Sequence, residues 1–261
     1  MRRVLAIGIG AGDLEHMTVG AIRALNQADV LFEIERGVGD LTARREEICR
    51  RYLEPGRHCR TVAVPEPERD RTAPAYGTAV EDWRARRAEI WERLIEQELG
   101  LEGCGAFLVW GDPSLYDSTI AVLDQVRARG STEFELEVVP GISSVQALTA
   151  RHRIALNRVG GAVMVTTGRR LAAHGFPPGV DDVVVMLDAH CSFRSLDPEG
   201  VEIYWGAYLG TEDEILIAGP LGEVGAEIER RRARAREHKG WIMDTYLLRR
   251  QGPPERALAA E

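Results

Sequence analysis

Strand-like apolar runs recur at Val4 to Gly8, Val30 to Ile34, Arg60 to Val64, Ala106 to Trp110 and Leu136 to Val139. Between them the apolar residues spread to helical spacing, over about residues 18–28, 41–53, 78–99 and 118–129. Near-continuous apolar strands alternating with amphipathic helices predict a largely parallel sheet covered on both faces. A helix-like stretch follows at about 143–151, after which His152 to Gly161 loses the apolar period and ends in Gly160-Gly161. A domain junction is expected there. Beyond it strands are predicted at Ala162 to Thr166, Val183 to Leu187, Val201 to Tyr208, Glu214 to Ala218 and Trp241 to Leu248, with a charged helix at about 221–237. Their short connections predict a mixed sheet. The expected fold class is therefore α/β, with two α/β domains: 1–151, carrying the mostly parallel sheet and glycine-rich loops, and 152–261, carrying the mixed one.

Composition narrows the picture. With 261 residues, 44% hydrophobic and 28% charged, the chain suits a folded soluble enzyme. The formal charge of −8 argues against a general nucleic-acid binder. No apolar run approaches the roughly 20 residues that span a bilayer, so no membrane partner and a cytoplasmic location are expected. Cys49, Cys59, Cys104 and Cys191 are scattered, with no C-x-x-C pair, and suggest neither a metal site nor a disulfide framework. Arg230, Arg231, Arg232, Arg234 and Arg236 share a helix with Glu223, Glu227, Glu229 and Glu237, which reads as a solvated, ion-paired surface or, less simply, an anion site. The stretch Glu66 to Asp82 is rich in Pro, Arg, Asp and Glu and is expected to be a loop, either mobile or covering a ligand.

The candidate chemistry sits where three strands end. The first run leads into Gly8-Ile-Gly10-Ala-Gly12-Asp13, a bare backbone turn followed by an acid. Read as G-x-G-x-x-G, it puts Asp13 at the third glycine, where a carboxylate would repel a pyrophosphate. A nucleotide-like ligand without phosphates is expected. The second loop is Trp110-Gly-Asp-Pro-Ser-Leu-Tyr-Asp-Ser-Thr119, in which Asp112 either caps its own turn or faces the ligand. The third is Pro140-Gly-Ile-Ser-Ser144, whose serines either cap the next helix or bind. Ligands in open α/β sheets bind beyond the carboxyl ends of strands, which favours a shared role.

Gly8 to Thr18, with Met17 in place of a leucine, Gly111 to Pro113 and Pro140 to Ser144, in this order and spacing, resemble the tetrapyrrole (precorrin and corrin) methyltransferase family. Val64 to Asp70, Trp83 to Trp91, Trp110 to Thr119, Ser143 to Asn157 and Gly240 to Arg250 are similar to the branch acting in aerobic cobalamin synthesis. That resemblance implies two α/β domains with the cofactor, S-adenosylmethionine, in the cleft between them, usually as a homodimer. It implies C-1 methylation of precorrin-5 with loss of acetate to give precorrin-6A, and S-adenosylhomocysteine as coproduct. The matching cofactor positions are Ala11, Gly111, Asp112, Leu115, Ser143, Ser144, Met186 and Gly210, with Pro220 in a segment expected near the adenine. Ala11 replaces the family's usual proline. Some relatives carry an aspartate proton acceptor after the second strand; the nearest acids here are Glu33 and Glu35.

Methyl transfer from a sulfonium to an electron-rich carbon needs positioning more than acid-base help. Deacetylation needs a base, and Asp117 or Asp112, with Tyr116 as hydrogen-bond donor, are the expected catalytic residues. His190 and Asp188 sit past another strand end, with a structural role favoured for the lone histidine. A substrate rich in carboxylates calls for arginines, and Arg69, Arg71, Arg169 and Arg170 are candidates. Alternatives are a methylase on another ring carbon or on a macromolecule, and a nicotinamide-dependent oxidoreductase with Glu33 or Glu35 as the ribose acid, against which Asp13 argues.

Overall fold

The computed structural model describes residues 1–34, 39–67 and 76–251. Two compact units divide the chain, Met1–Ser143 and the part from Ser144 onward. The division falls at the start of a helix that the sequence pattern assigns to the first domain, eight residues before the expected junction.

In the first unit β1 (Arg2–Gly8), β2 (Val30–Ile34), β3 (Arg60–Val64), β4 (Cys104–Val109) and β5 (Phe134–Val139) form one sheet in the order β3-β2-β4-β1-β5. Every pairing is parallel. The crossovers contain α1 (Val19–Leu25), α2 (Gly39–Tyr52), α3 (Tyr76–Glu98) and α4 (Thr119–Arg129). Strand side chains alternate between two cores: Val4, Ala6, Phe32 and Phe107 pack with α3 and α4, while Leu5, Ile7, Leu31 and Ala106 pack with α1 and α2. Burial on both faces is why these strands read as continuous apolar runs. Helix α3 follows the predicted helix at about 78–99 to within two residues at each end. It begins inside the presumed Glu66 to Asp82 loop, with 76–82 helical and 68–75 outside the described residues. Trp83 of its third turn donates to the Pro67 carbonyl at 3.1 Å, a tertiary anchor that local composition does not reveal.

The second unit opens with α5 (Ser144–His152), followed by β6 (Val163–Thr167), α6 (Gly168–His174), β7 (Asp182–Met186), β8 (Val201–Ala207), β9 (Ile215–Pro220), α7 (Leu221–Lys239) and β10 (Asp244–Arg250). Sheet order is β6-β7-β10-β8-β9. Only β6 and β7 run parallel, so the sheet is mixed, as expected. Helix α6 has too short an apolar period to be read from sequence. One face of this sheet, with Val183, Val185, Ile203, Trp205 and Tyr246, packs against Leu171 of α6 and Leu221 and Ile228 of α7. No helix among the described residues is long and apolar enough to cross a membrane.

The arginine-rich helix α7 is less solvated than its composition suggests. Arg232 is buried one turn after Ile228, where its Nε donates to Asp244 Oδ2 at 2.9 Å and its Nη2 to the Asp188 carbonyl at 2.6 Å. Trp205 Nε1 donates to the same Asp244 oxygen at 2.9 Å. Removing one member of a buried ion pair leaves the other uncompensated, at a cost of about 3–5 kcal/mol. Arg232→Met is expected to lose that much in urea unfolding, whereas Arg231→Met, on the exposed side of the same helix, should stay within about 0.5 kcal/mol of the parent.

Candidate functional site

Strands β4, β1 and β5 are neighbours and parallel, so the three glycine loops emerge side by side from one edge of the first sheet. Their backbones touch. A Cβ on Gly8 would lie 2.5 Å from the Gly141 nitrogen, 2.7 Å from its Cα and 2.9 Å from the Gly111 carbonyl oxygen. A Cβ on Gly141 would meet that carbonyl more closely still. Gly10 and Gly111 then exchange backbone hydrogen bonds of 2.9 and 3.3 Å, both with positive φ, 84° and 71°. Residues with side chains rarely adopt this conformation.

Polar groups hold each loop. Asp13 caps the short 3-10 turn Leu14–His16 by accepting from Glu15 N–H at 2.9 Å, and Thr18 caps α1 through Ala21 N–H at 3.0 Å. Asp112 accepts from Ser114 N–H at 2.8 Å, from the Ser114 hydroxyl, and through its other oxygen from Gly141 N–H at 2.9 Å, tying the second loop to the third. Burial, the strongest single influence, would raise its pKa. The bonds from the Ser114 hydroxyl, Gly141 N–H and Ser114 N–H outweigh it and hold the carboxyl below its ordinary range. Both oxygens being engaged, Asp112 is a tie between loops and a poor proton acceptor. Asp117 accepts from Thr119 N–H at 2.6 Å through Oδ1, at the start of α4. Tyr116 is exposed with φ 52°, and Leu115 is half-buried beside it. Ala11 and Ser143 are buried.

In the second unit the register collects a different set. Thr245, at the start of β10, lies opposite both Met186 on β7 and Gly206 on β8, and its hydroxyl is 3.0 Å from that of Ser144. Gly210 follows β8 at the same end of the sheet, with φ 76° and its N–H donated to Glu214 Oε2 at 2.9 Å. Thr245 is buried; it lies in the Gly240 to Arg250 stretch, but strand pairing opposite Met186 is what singles it out. Pro220 is not part of this group. It pairs with Glu202, at the other end of β8 from Ala207, and the antiparallel run of β9 carries it away by the length of that strand. Asp188 proves to be a structural hub: Tyr246 OH at 2.7 Å, Ser192 N–H at 2.6 Å, Ser192 OH at 2.9 Å and His190 N–H at 3.0 Å all donate to its buried carboxylate. Arg169 and Arg170 are exposed on the first turn of α6, after the end of β6 that pairs with Met186.

The description "tetrapyrrole (corrin/porphyrin) methylases" matches residues 3–225. The chain belongs to the tetrapyrrole methylase family. It is 52% identical over 252 residues, 96% of each chain, to a precorrin-6A synthase [deacetylating] of Sinorhizobium sp.. A solved structure of a cobalamin-synthesis-related protein of Corynebacterium diphtheriae superposes with a TM-score of 0.81 at 36% identity, covering 97% of this chain and 100% of that one. A uroporphyrin-III C-methyltransferase of Thermus thermophilus, solved with S-adenosylhomocysteine, shares the fold at a TM-score of 0.57 and 19% identity, covering 99% and 100%.

Glu33 lies near the end of β2 with a buried Oε1 that has no hydrogen-bond partner among the described residues; Glu35, Arg69 and Arg71 lie outside the described residues. Overpacking a rigid backbone contact costs about 1–3 kcal/mol or more, so Gly141→Ala should lower the unfolding free energy by at least that. Gly100→Ala, at a site with open space, should leave it within about 0.5 kcal/mol. Because the folded pKa of Asp112 is depressed, its carboxylate contributes stability above the unfolded value near 3.8 and loses it as pH falls through the lower folded value. Asp112→Asn is therefore expected to be less stable than the parent at neutral pH and to show a flatter loss of stability below about pH 4, read by chemical denaturation across pH.

Proposed function

We propose that the chain is an S-adenosylmethionine-dependent C-methyltransferase that methylates C-1 of precorrin-5 and releases the extruded acetyl group as acetate, giving precorrin-6A, and that it works as a cytoplasmic homodimer. The observation that carries this reading is the 52% identity, over 96% of both chains, to an enzyme named for that reaction. The glycine loops support it chemically. Contact among Gly8, Gly111 and Gly141 brings backbone groups together at the end of the sheet, and Asp13 makes the neighbouring helix turn unfit for a phosphate. A nucleoside bearing an amino-acid tail fits such a surface, with Ala11, Gly111, Leu115 and Ser143 of the first unit as its holders; within the second unit, Ser144, Met186 and Gly210 are the positions carried over from the family, and Thr245 lies beside Met186. Pro220 is left out of this set.

When bound, S-adenosylmethionine supplies the methyl group from its sulfonium. The chain's own work is orientation: backbone on rigid strand ends would hold the donor against the acceptor carbon, a proximity effect worth several kcal/mol. In deacetylation, water oxygen bonds to the acetyl carbonyl carbon and the ring-carbon–acyl bond breaks. Its electron pair passes into the macrocycle; one water proton goes to a base, and the second leaves with acetic acid, which ionises to acetate in solvent. Asp117 suits that role better than Asp112, since only its Oδ1 is engaged by a described residue. Tyr116 is the hydrogen-bond donor beside it. Arg169 and Arg170 are placed to meet substrate carboxylates.

Asp117→Asn keeps an acceptor for Thr119 N–H while removing the base. Acetate release is expected to fall about 10²-fold or more with S-adenosylhomocysteine affinity kept, and unchanged release would remove Asp117 from the mechanism. The reading as a whole is tested by incubating the enzyme with precorrin-5 and labelled methyl donor, with mass measurement and an acetate assay. One methyl gained per acetate lost is the expected result. Binding of NAD in place of S-adenosylhomocysteine by calorimetry would contradict it.

A further inference from the structure

Residues outside the glycine contact meet at one guanidinium. Trp83, Arg87 and Trp91 are spaced i, i+4 and i+8 on α3, so they share one face of the helix. Arg87 is fully buried, its guanidinium carbon 4.5 Å from the centre of the Trp83 ring and 4.7 Å from that of Trp91. Its Nε lies 3.3 Å from a Glu66 carboxylate oxygen, and its Nη1 donates to Ser118 Oγ at 2.5 Å. The stack continues from Trp91 onto Phe107 of β4, at 4.2 Å, and from Phe107 onto Phe32 of β2, at 5.0 Å. Strand β4 is the one that ends in the Gly111 loop.

Ser118 is the residue that makes this stack relevant to the site. It occupies the N-cap of α4, where a serine ordinarily accepts from a helix N–H, yet its side chain makes no capping bond. Asp117 supplies a bond to Thr119 N–H instead, and the Ser118 hydroxyl is committed to Arg87. Two residues earlier Tyr116 sits at φ 52° with its side chain exposed, a conformation that a bulky residue keeps only where the surroundings over-determine it. An arginine can stack between two rings and donate along its edge at the same time, which a lysine cannot.

We propose that Arg87 is a positioning residue: through Ser118 it locks the turn Tyr116–Ser118 and thereby holds Tyr116 and Asp117 in the orientation the tetrapyrrole meets. This rests on the functional reading above. It joins Glu66, Trp83, Trp91 and Ser118, which motif matching places in separate stretches, into one device serving one turn.

Ser118→Ala tests it, because the variant loses the acceptor while Asp117 still bonds Thr119 N–H. With precorrin-5 as substrate, kcat is expected to fall about tenfold or more while the thermal midpoint and the S-adenosylhomocysteine Kd stay near those of the parent. Ser118→Thr, which keeps a hydroxyl, should restore the rate. Ser118→Ala combined with Tyr116→Phe should be no slower than the slower single variant. A parental kcat in Ser118→Ala, or fully additive losses, overturns the proposal. Amide hydrogen exchange over 115–119 reads the same claim without turnover: faster exchange in Ser118→Ala supports it, and unchanged exchange overturns it. A parent enzyme that fails to turn over precorrin-5 while showing this exchange response would count against the functional reading alone.

Discussion

Three glycines from three neighbouring parallel strands, Gly8, Gly111 and Gly141, pack backbone against backbone at less than the distance any side chain allows. The contact decides where each loop leaves the sheet, and so where every candidate ligand group on the first unit sits. Parallel pairing of β4, β1 and β5 brings the loops to one edge; only the lack of Cβ atoms lets them converge there. The result is a surface of N–H and C=O groups, suited to a ligand recognised by shape and hydrogen bonding more than by charge.

Charged residues in both units mainly hold backbone in place. Asp112 binds Gly141 and Ser114, Asp188 gathers donors from Tyr246, Ser192 and His190, and Arg232 bridges Asp244 to the Asp188 carbonyl. Hydrogen bonds outweigh burial and depress the pKa of both Asp112 and Asp188, so each stays ionised while doing this. Gly168 sits so close to Asp188 that a Cβ would overlap its carboxyl group, which adds steric fit to the hydrogen bonding. Acids that sequence reasoning places near the chemistry thus divide. Asp112 and Asp188 hold the architecture, whereas the described residues bond one oxygen of Asp117.

Local patterns were legible where a single period dominates. The buried strands β1, β2 and β4 and the long helices α3 and α7 follow from apolar spacing to within a few residues, and the three loops follow from glycine and turn chemistry. What the sequence hides depends on register or distant partners. Pro220, carried over as part of a segment near the adenine, lies by antiparallel pairing at the opposite end of β8 from Ala207. Thr245 lies in the Gly240 to Arg250 stretch and gains its place only from pairing opposite Met186. Arg232 is indistinguishable in sequence from its solvated neighbours, because only Asp244, twelve residues away, makes its burial tolerable. Over Glu66 to Asp82 the polar composition reads as a loop, whereas residues 76–82 are helical and Trp83 is anchored on the Pro67 carbonyl.

The central claim is that one edge of the first sheet, built on glycine contact, holds the methyl donor through its backbone. Hydrogen exchange of the full chain with and without S-adenosylhomocysteine reads that directly, since the amides themselves are the proposed ligands. Added protection should appear together in residues 8–18, 109–119 and 139–145. Binding that leaves all three segments exchanging as in the free protein would contradict the account.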